Sequence, residues 1–276
     1  MQDIRKLAFI GGGNMAAALI SGLLKRGLPH TDCIVADPSA EQRHRLTRDF
    51  GIAATDDNGV AVQDAEVVVL AVKPQQMRSV AKKLAPHLEA SRPLLISVAA
   101  GIPHAALSRW VGPQIAIVRT MPNRPALNGV GATGLYAPAG VGQGHRVLAE
   151  SIMGAVSATV WVEHEEQMDT VTALSGSGPA YFFLFMEALE AAAHERGLPM
   201  ELAHRLTLET AFGAAQMARE STDTLAALRQ QVTSKGGTTA AALEVLDAAG
   251  LRDIVARAVA AADRRSAELA AEYGQP

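Results

Sequence analysis

The sequence of 276 residues predicts an α/β domain built on a parallel sheet, followed by an all-α domain. In residues 1–163, short apolar runs alternate with amphipathic stretches, which is typical of strand–helix units around a parallel sheet. Residues 165–273 contain no β-branched run longer than three residues, and their apolar residues recur at helical spacing. We therefore expect an α/β domain over residues 1–163 and a helical domain over residues 164–276.

The individual elements follow from the same patterns. The first predicted strand, 7–10, leads through glycines into a helix over about residues 14–26, which Gly27 and Pro29 end. A polar helix is predicted over residues 41–50. In the second domain, Gly197 and Gly250 each separate two predicted helices, and the last helix covers 253–273. Further strands are predicted at 33–36, 67–72, 94–98, 115–118, 132–136 and 159–162.

Composition excludes several classes of protein. A net charge of −3, from 25 basic and 28 acidic residues, provides no field for nucleic acid or an anionic membrane. No apolar stretch reaches the roughly 18 residues of a membrane span. Asp3, Arg5 and Lys6 directly before the first apolar run do not fit a signal peptide. We expect a cytoplasmic protein that binds neither nucleic acid nor membrane.

Cysteine and histidine usage predicts a reducing compartment and no metal site. Cys33 is the one cysteine, so no disulfide forms within a chain and no zinc-type spacing exists. The eight histidines never recur at i and i+4, the spacing of a helical metal-binding pair.

A glycine-rich loop between the first strand and the first helix predicts a dinucleotide site. Gly11, Gly13 and Ala16 occupy the three small positions of Gly-x-Gly-x-x-Ala. The first allows a tight turn, the second lets a pyrophosphate approach the backbone, and the third allows close packing of helix on strand. The predicted cofactor-binding residues of this loop are Ile10, Gly11, Gly12, Gly13, Asn14, Met15 and Ala16.

The end of the second strand bears on the choice of coenzyme. A carboxylate such as Asp37 at this position accepts hydrogen bonds from a free ribose 2′-hydroxyl, which favours NADH. Ser39, Arg43 and Arg45 follow closely, and they could neutralise the 2′-phosphate of NADPH. Alternatively, residues 37–39 are a helix-capping turn and the arginines are solvated. We count Asp37 and Ser39 as cofactor-binding residues and leave NADH and NADPH open.

Two more strand ends are expected at the same edge of the sheet, where ligands of doubly wound folds bind. Lys73 in Ala71-Val72-Lys73-Pro74 could offer charge to the cofactor, or it could be a solvated side chain. The small residues at 98–101 leave room for a flat ring, or they form an ordinary turn. The cofactor-binding residues predicted here are Ala71, Val72, Lys73, Pro74, Val98, Ala99 and Ala100.

Two segments of the helical domain are chemically unusual. Glycines and a proline interrupt a helical pattern at residues 175–180, which indicates either a functional turn or a close helix crossing. At residues 234–239, Ser-Lys-Gly-Gly-Thr-Thr precedes a helix, and glycines before a helix leave free N–H groups that suit a carboxylate. Since one hydroxyl normally caps the helix, the other threonine is free for another task.

These motifs together resemble those of the pyrroline-5-carboxylate reductase family over nearly the full length of the chain. The segments that carry the resemblance are 11–16, 71–74, Met121-Pro122-Asn123, 174–181 and 233–246. The resemblance implies a Rossmann-type domain followed by a helical dimerisation domain, in a homodimer or an assembly of dimers. It implies transfer of hydride from NAD(P)H to the imine carbon of 1-pyrroline-5-carboxylate, which becomes C5 of L-proline, in the last step of proline biosynthesis. The family tends to use NADPH.

The resemblance also assigns residues to the substrate. It makes Thr239 the catalytic candidate, through a hydrogen bond to the ring nitrogen, and it places the substrate carboxylate on the amides of residues 237–239. It adds Asn58 to the cofactor-binding residues. The substrate-binding candidates are Glu165, Ser177, Gly237, Thr238 and Thr239. Arg124 departs from the threonine that the family commonly has after Met-Pro-Asn, and Lys235 departs from a frequent proline.

Three other functions compete with this prediction. A β-hydroxyacid dehydrogenase shares the two-domain plan, but it is expected to carry a catalytic lysine, and residues 170–190 contain none. A related imine reductase is the second alternative. The third is a non-catalytic dinucleotide sensor, which the intact loops in both domains disfavour.

Overall fold

The computed structural model describes residues 6–275, so Asp3 and Arg5 lie outside the described part of the chain. Two compact units form. The first comprises the residues up to Ser177 together with those from Ala261 onwards, and the second is Gly178–Ala260. These units reflect how compactly the chain packs, which is a different property from the domain boundary expected at residue 163. That boundary stays a prediction.

The first unit contains an eight-stranded sheet in the order β3-β2-β1-β4-β5-β6-β7-β8. All neighbouring strands are parallel except β6 and β7, which are antiparallel. The order of the first six strands is that of a Rossmann-type sheet. The strands are β1 (Leu7–Ile10), β2 (Cys33–Ala36), β3 (Ala53–Thr55), β4 (Val67–Leu70), β5 (Leu94–Ser97), β6 (Ile117–Pro122), β7 (Gly131–Tyr136) and β8 (Ser157–Trp161).

Helices cover both faces of this sheet. Side chains alternate between the faces of a strand, so Leu7 and Phe9 join one buried cluster while Ala8 and Ile10 join another. The helices of the first unit are α1 (Asn14–Lys25), α2 (Ala40–Phe50), α3 (Asn58–Val62), α4 (Pro74–Leu88), α5 (His104–Val111), α6 (Gln143–Met153) and α7 (Gln167–Val171). Short 3₁₀ helices lie at His30–Asp32 and Arg124–Asn128, and a π-helix lies at Thr172–Gly176.

The structure confirms the predicted fold and corrects three details. The short edge strand β3 was not predicted, because three residues with an exposed Ala53 carry no strand pattern. The strand predicted over 67–72 ends at Leu70. The expectation of a parallel sheet is wrong for the β6–β7 pair: the short connection through a 3₁₀ helix is too brief for the crossover that parallel strands need.

The second unit is helical, as predicted. It contains α8 (Gly178–Glu195), α9 (Met200–Glu220), α10 (Leu225–Gln231), α11 (Thr238–Ala248) and the start of α12 (Leu251–Tyr273), whose end belongs to the first unit. Gly197 and Gly250 separate helices in the left-handed conformation, with φ of 94° and 74°. Within residues 6–275, no helix combines the length and the apolar character that crossing a bilayer requires.

Candidate cofactor and substrate sites

The glycine loop after β1 has the geometry that its sequence predicts. Gly11 has φ of +95°, and a Cβ atom there would lie 2.7 Å from the carbonyl oxygen of Ala71, so no other residue fits. A Cβ atom on Gly13, in contrast, would meet no atom within 4 Å. Helix α1 begins at Asn14 without a side-chain cap, so its first N–H groups face open space in front of Gly13. The loop therefore has room and donors for a pyrophosphate.

The predicted cofactor segments come together at one edge of the sheet. Ile10 is level with Leu70, and Leu70 is level with Ser97, in three neighbouring parallel strands. The residues that follow these strands, Gly11, Ala71 and Val98, therefore lie side by side. Backbone hydrogen bonds of 2.8 Å from Ala71 N to Ile10 O and 3.2 Å from Val98 N to Leu70 O hold them there.

Asp37 supports the glycine loop directly. Its Oδ2 accepts a hydrogen bond of 2.8 Å from Gly12 N, and its Oδ1 accepts one of 2.8 Å from Ser39 N. Ser39 in turn caps α2, since its Oγ accepts from Gln42 N at 3.3 Å. The helix-capping turn, one of the two interpretations left open, is therefore present, and it brings a carboxylate to the cofactor loop.

The arginines beside Asp37 differ in their surroundings. The Nη1 of Arg43 donates to the carbonyl oxygens of Asp37 and Pro38, at 2.7 and 3.0 Å. Arg45 and Asn14 both line a cavity of about 370 Å³ between α1 and α2. The guanidinium of Arg43 thus lies against the backbone of residues 37–38, and it also forms an ion pair of 3.7 Å with Asp56.

Two other predicted cofactor residues occupy helix starts. Asn58 begins α3, whose first turn is capped by the Oδ1 of Asp57 at 2.7 Å from Gly59 N. Asn58 lines a second cavity of about 370 Å³ together with Lys83. Lys73 is exposed directly before α4, and no ion pair of its ammonium group occurs within residues 6–275.

A charged cluster joins β6, the start of α5 and the residues before α7. The side chain of Arg119 is only 5% exposed, and its Nη1 donates to Oε1 of Glu165 at 2.9 Å. The same oxygen accepts from the backbone N–H of His104 at 2.5 Å. A buried guanidinium without a counter-ion is strongly unfavourable, so Glu165 acts first as the partner of Arg119.

The cluster alters the protonation of two neighbouring rings. Burial lowers the pKa of His104 below 6.5; Glu165 opposes this shift and Arg119 adds to it. Burial also raises the pKa of the Tyr136 phenol above 10.0, and Glu165 and Glu166 act in the same direction. The His104 and Tyr136 rings meet edge to face, with 6.4 Å between their centroids. His104 is therefore neutral near pH 7.

The predicted interruption at residues 175–180 is a π-helix followed by a break. Ser177 N donates to Thr172 O at 2.9 Å, which is a bond of the π type. The side-chain amide of Asn123 reaches this turn and donates to Ser175 O at 3.0 Å. Ser177 itself is half-buried, and Arg124, the departure from the family pattern, is exposed.

Helix α11 begins at Thr238, as the sequence predicts, but its cap differs from the prediction. Gly237 is the N-cap, and no side chain caps the helix. The expectation that one threonine hydroxyl caps the helix is therefore wrong: within residues 6–275, neither Thr238 nor Thr239 has a hydrogen-bond partner for its hydroxyl. Gly237 N donates to Ser234 O at 3.1 Å, so the free amides are those of Thr238 and Thr239.

Sequence reasoning missed Arg119 and the side-chain role of Asn123. The strand predicted to end at Val118 continues to Pro122, which carries Arg119 into the buried sheet. The position of Arg119 directly after the apolar run 115–118 could have indicated a buried arginine in the strand. Among residues 6–275, no group of three His, Cys, Asp or Glu side chains could hold a metal ion.

The fold and the glycine loop define a Rossmann-type dinucleotide-binding protein with a helical C-terminal part. Residues 6–101 match the family described as NADP oxidoreductase coenzyme F420-dependent, and residues 165–269 match pyrroline-5-carboxylate reductase dimerisation. The pyrroline-5-carboxylate reductase of Pseudomonas aeruginosa is 50% identical over 98% of each chain. The chain belongs to the pyrroline-5-carboxylate reductase family.

Solved structures agree with this assignment. A pyrroline-5-carboxylate reductase from Coxiella burnetii has a TM-score of 0.94 and 43% identity, and the match covers 97% of this chain and 99% of that one. The Plasmodium falciparum pyrroline carboxylate reductase, solved with NADP bound, has a TM-score of 0.84 and 31% identity, over 98% and 99%. The predicted family is thus confirmed.

Proposed function

We propose that this chain reduces 1-pyrroline-5-carboxylate to L-proline with hydride from NAD(P)H, the last step of proline biosynthesis. The observation that carries the proposal is the start of α11. After Gly236 and Gly237, the amides of Thr238 and Thr239 and both their hydroxyls have no partner within residues 6–275. A chain with a dinucleotide loop and a set of donors at a helix start that the protein itself does not pair suits a small anionic substrate.

The residues at the carboxyl edge of the sheet fit a nicotinamide dinucleotide. Gly11 and Gly13 leave the loop backbone open to the pyrophosphate, and the first N–H groups of α1 supply donors. Residues 71–74 and 98–100 would flank the nicotinamide half. When bound, the coenzyme supplies the hydride. The chain itself contributes binding and orientation.

At the substrate, the proposed roles are anchoring and positioning. The amides of Thr238 and Thr239 hold the carboxylate, aided by the positive end of α11. The hydroxyl of Thr239 hydrogen-bonds the ring nitrogen and so presents the imine carbon in one orientation. Because a cyclic iminium carbon is already electrophilic, holding it in place supplies much of the rate enhancement.

Glu165 and Ser177 are proposed to lie near the substrate as well. One Glu165 oxygen, Oε1, is taken by Arg119 and His104 N, which fixes the direction of the carboxylate. Oε2 has no hydrogen-bond partner within residues 6–275, so it can accept one. Ser177, which directly follows the π-helix, is proposed to line the substrate site.

The choice of coenzyme is proposed to be decided at the end of β2. The carboxylate of Asp37 suits a 2′-hydroxyl, whereas Arg43 and Arg45 suit a 2′-phosphate. The Plasmodium falciparum relative was solved with NADP bound, which supports NADPH as a coenzyme. Comparing kcat/KM for NADPH and NADH measures the preference directly.

We further propose that the helical unit forms a homodimer, alone or within an assembly of dimers. Phe182, Phe183, Leu184 and Phe185 are exposed by 69, 64, 68 and 47%. Successive helix residues are turned by about 100°, so these four cover every side of α8. A helical segment that is apolar all round, as residues 182–185 are, is normally buried on all sides. A second copy of α8–α11 that surrounds it would provide that burial, and the match to the dimerisation family supports this.

The test is a steady-state assay of the purified full-length chain. We expect oxidation of NADPH, NADH or both that depends on pyrroline-5-carboxylate. Oxidation of a β-hydroxyacid with NADP⁺, without imine reduction, would support the dehydrogenase alternative. Reduction of other cyclic imines but not this one would support the related imine reductase. Coenzyme binding without any turnover would support the sensor.

A further inference from the structure

The π-helical turn leaves one backbone carbonyl without its normal partner. In an α-helix, the carbonyl of Ser175 would accept from the N–H of residue 179. Residue 179 is proline, which has no N–H and whose ring disfavours a regular helix at this point. The chain widens here instead, into the π-helix Thr172–Gly176. A carbonyl that is freed in this way needs another donor if it is not hydrated.

Asn123 supplies that donor. Its Nδ2 donates to Ser175 O at 3.0 Å, and its Oδ1 accepts from Ala132 N at 2.9 Å. The residue is only 9% exposed, and it precedes the 3₁₀ helix that follows β6. One side-chain amide thus connects the end of β6, the start of β7 and the turn. Both ends of the amide are therefore used, one as a donor and one as an acceptor.

A close contact beside this bond limits where the turn can lie. A Cβ atom on Gly176 would approach the methyl group of Met121 to 2.6 Å, so the turn already lies against β6. The hydroxyls of Thr172 and Ser175 are committed to the helix, since they donate to Met168 O and Val171 O at 2.8 and 2.9 Å. The Asn123 amide provides a side-chain hydrogen bond between this turn and the residue that directly follows β6.

We infer that Asn123 is a positioning residue for turnover: it holds the turn that carries Ser177 in its π-helical form. This inference rests on the proposed function, because it concerns the turn assigned to the substrate. Asn123 acts through the backbone of Ser175 and is not assigned a contact with the substrate. Its loss should alter the use of the imine and leave the affinity for the coenzyme unchanged.

The first variant is Asn123→Asp, which has nearly the same shape. Its carboxylate still accepts from Ala132 N, but when ionised it cannot donate to Ser175 O and repels it. At about pH 8 we expect kcat/KM for the imine to fall by about tenfold or more relative to the wild type. A protonated carboxyl group can donate again, so the ratio to the wild type should recover as the pH falls. The KM for the coenzyme should not change.

Asn128→Asp is the matched control. It introduces the same charge five positions away, at an exposed residue of the 3₁₀ helix without a hydrogen bond to residues 6–275. Its activity should follow the wild type at every pH. Melting temperatures of all three proteins, recorded at each pH, separate unfolding from lost positioning.

A second variant, Pro179→Ala, tests the same idea if Asn123→Asp does not fold. It restores an N–H at residue 179 and removes the ring that disfavours a regular helix. We expect its melting temperature to stay the same or rise while kcat/KM for the imine falls, since the turn can now return to an α-helix.

The outcomes are distinct. The inference is overturned if Asn123→Asp has the wild-type kcat/KM for the imine, or if its loss of kcat/KM is the same at every pH. A Pro179→Ala variant with the wild-type kcat/KM overturns it as well. A wild-type protein that does not reduce the imine contradicts the proposed function instead. If the wild type has no such activity, amide hydrogen exchange of the turn is compared between the wild type and Pro179→Ala instead. Equal exchange rates in the two proteins would overturn the positioning role.

Discussion

The two units of the chain differ in how completely they bury their own apolar side chains. In the first, Leu7, Phe9 and Leu70 are fully buried between the sheet and its helices. In the second, Phe182 and Phe183 are more exposed than buried, and α10 and α11 have no buried residue. The first unit therefore completes a core within one chain, whereas the second requires surface from another molecule.

This difference also bears on the residues assigned to the coenzyme and on part of those assigned to the substrate. The residues assigned to the coenzyme stand on a sheet whose order needs one chain only. Of the residues assigned to the substrate, Gly237, Thr238 and Thr239 belong to the second unit, which is proposed to associate with a second copy, whereas Glu165 and Ser177 belong to the first. We expect coenzyme binding to survive loss of the dimer and imine reduction to be lost with it.

The largest expected effect comes from breaking the association. Phe183→Glu places a charge in the apolar segment 182–185 of helix α8, which would cost several kcal/mol in a buried interface. We expect light scattering to show monomers and the rate of imine reduction to fall by about a hundredfold or more. Calorimetry should show that the variant still binds the coenzyme. Val147→Glu, on the exposed surface of α6 in the first unit, is the control and should leave the assembly intact. A dimeric, active Phe183→Glu protein would contradict the comparison.

The second effect tests the pre-formed coenzyme loop. Gly11→Ala would combine φ of +95° with a Cβ atom 2.7 Å from Ala71 O. We expect coenzyme affinity to fall by about tenfold or more, with a loss of stability of about 2 kcal/mol or more. Gly27→Ala is the control: it has φ of +91° but no atom within 4 Å of the added Cβ, so it should show the backbone cost alone. Equal losses in the two variants, with unchanged coenzyme affinity, would refute the role of the close contact.

The third effect concerns the substrate half. Thr239→Ala removes a hydroxyl that has no partner within residues 6–275, so the melting temperature should stay unchanged. Loss of a hydrogen bond to the ring nitrogen should reduce kcat/KM by roughly 5- to 150-fold, the equivalent of 1–3 kcal/mol. Thr238→Ala, which keeps its backbone amide, should have a smaller effect in the same assay. Normal kinetics for Thr239→Ala would remove its assigned role.

The smallest effect is a pH dependence of stability within the first unit. The pKa of His104 is lowered below 6.5 in the folded protein, chiefly by burial, so the unfolded chain binds the proton more readily. This contribution to stability is present above about pH 6.5 and is lost as the pH falls towards the folded pKa. His104→Gln should therefore reduce the fall in melting temperature between about pH 7.5 and pH 5.

His44→Gln, at an exposed position of α2, is the control for that measurement and should keep the wild-type pH dependence. If His104→Gln has the same melting profile as the wild type, burial of this ring does not contribute to acid sensitivity.

Much of the fold follows from the sequence by local rules. The apolar run of β1, the glycine loop and the helix start at Asn14 are all adjacent in the chain, and backbone sterics at Gly11 and Gly27 decide their geometry. The break before α8 is local as well, because Pro179 cannot continue a regular helix. Such features depend on neighbouring residues, so residue type and spacing were sufficient to predict them.

The tertiary structure alone decided which distant groups meet. Arg119 finds Glu165 across 46 positions, and Asn123 finds Ser175 across 52. The edge strand β3 and the uncapped start of α11 were likewise not predictable from local pattern. A side chain's hydrogen-bond partner depends on how separate segments pack, and burial then makes that partner necessary, because an unpaired polar group away from water is costly.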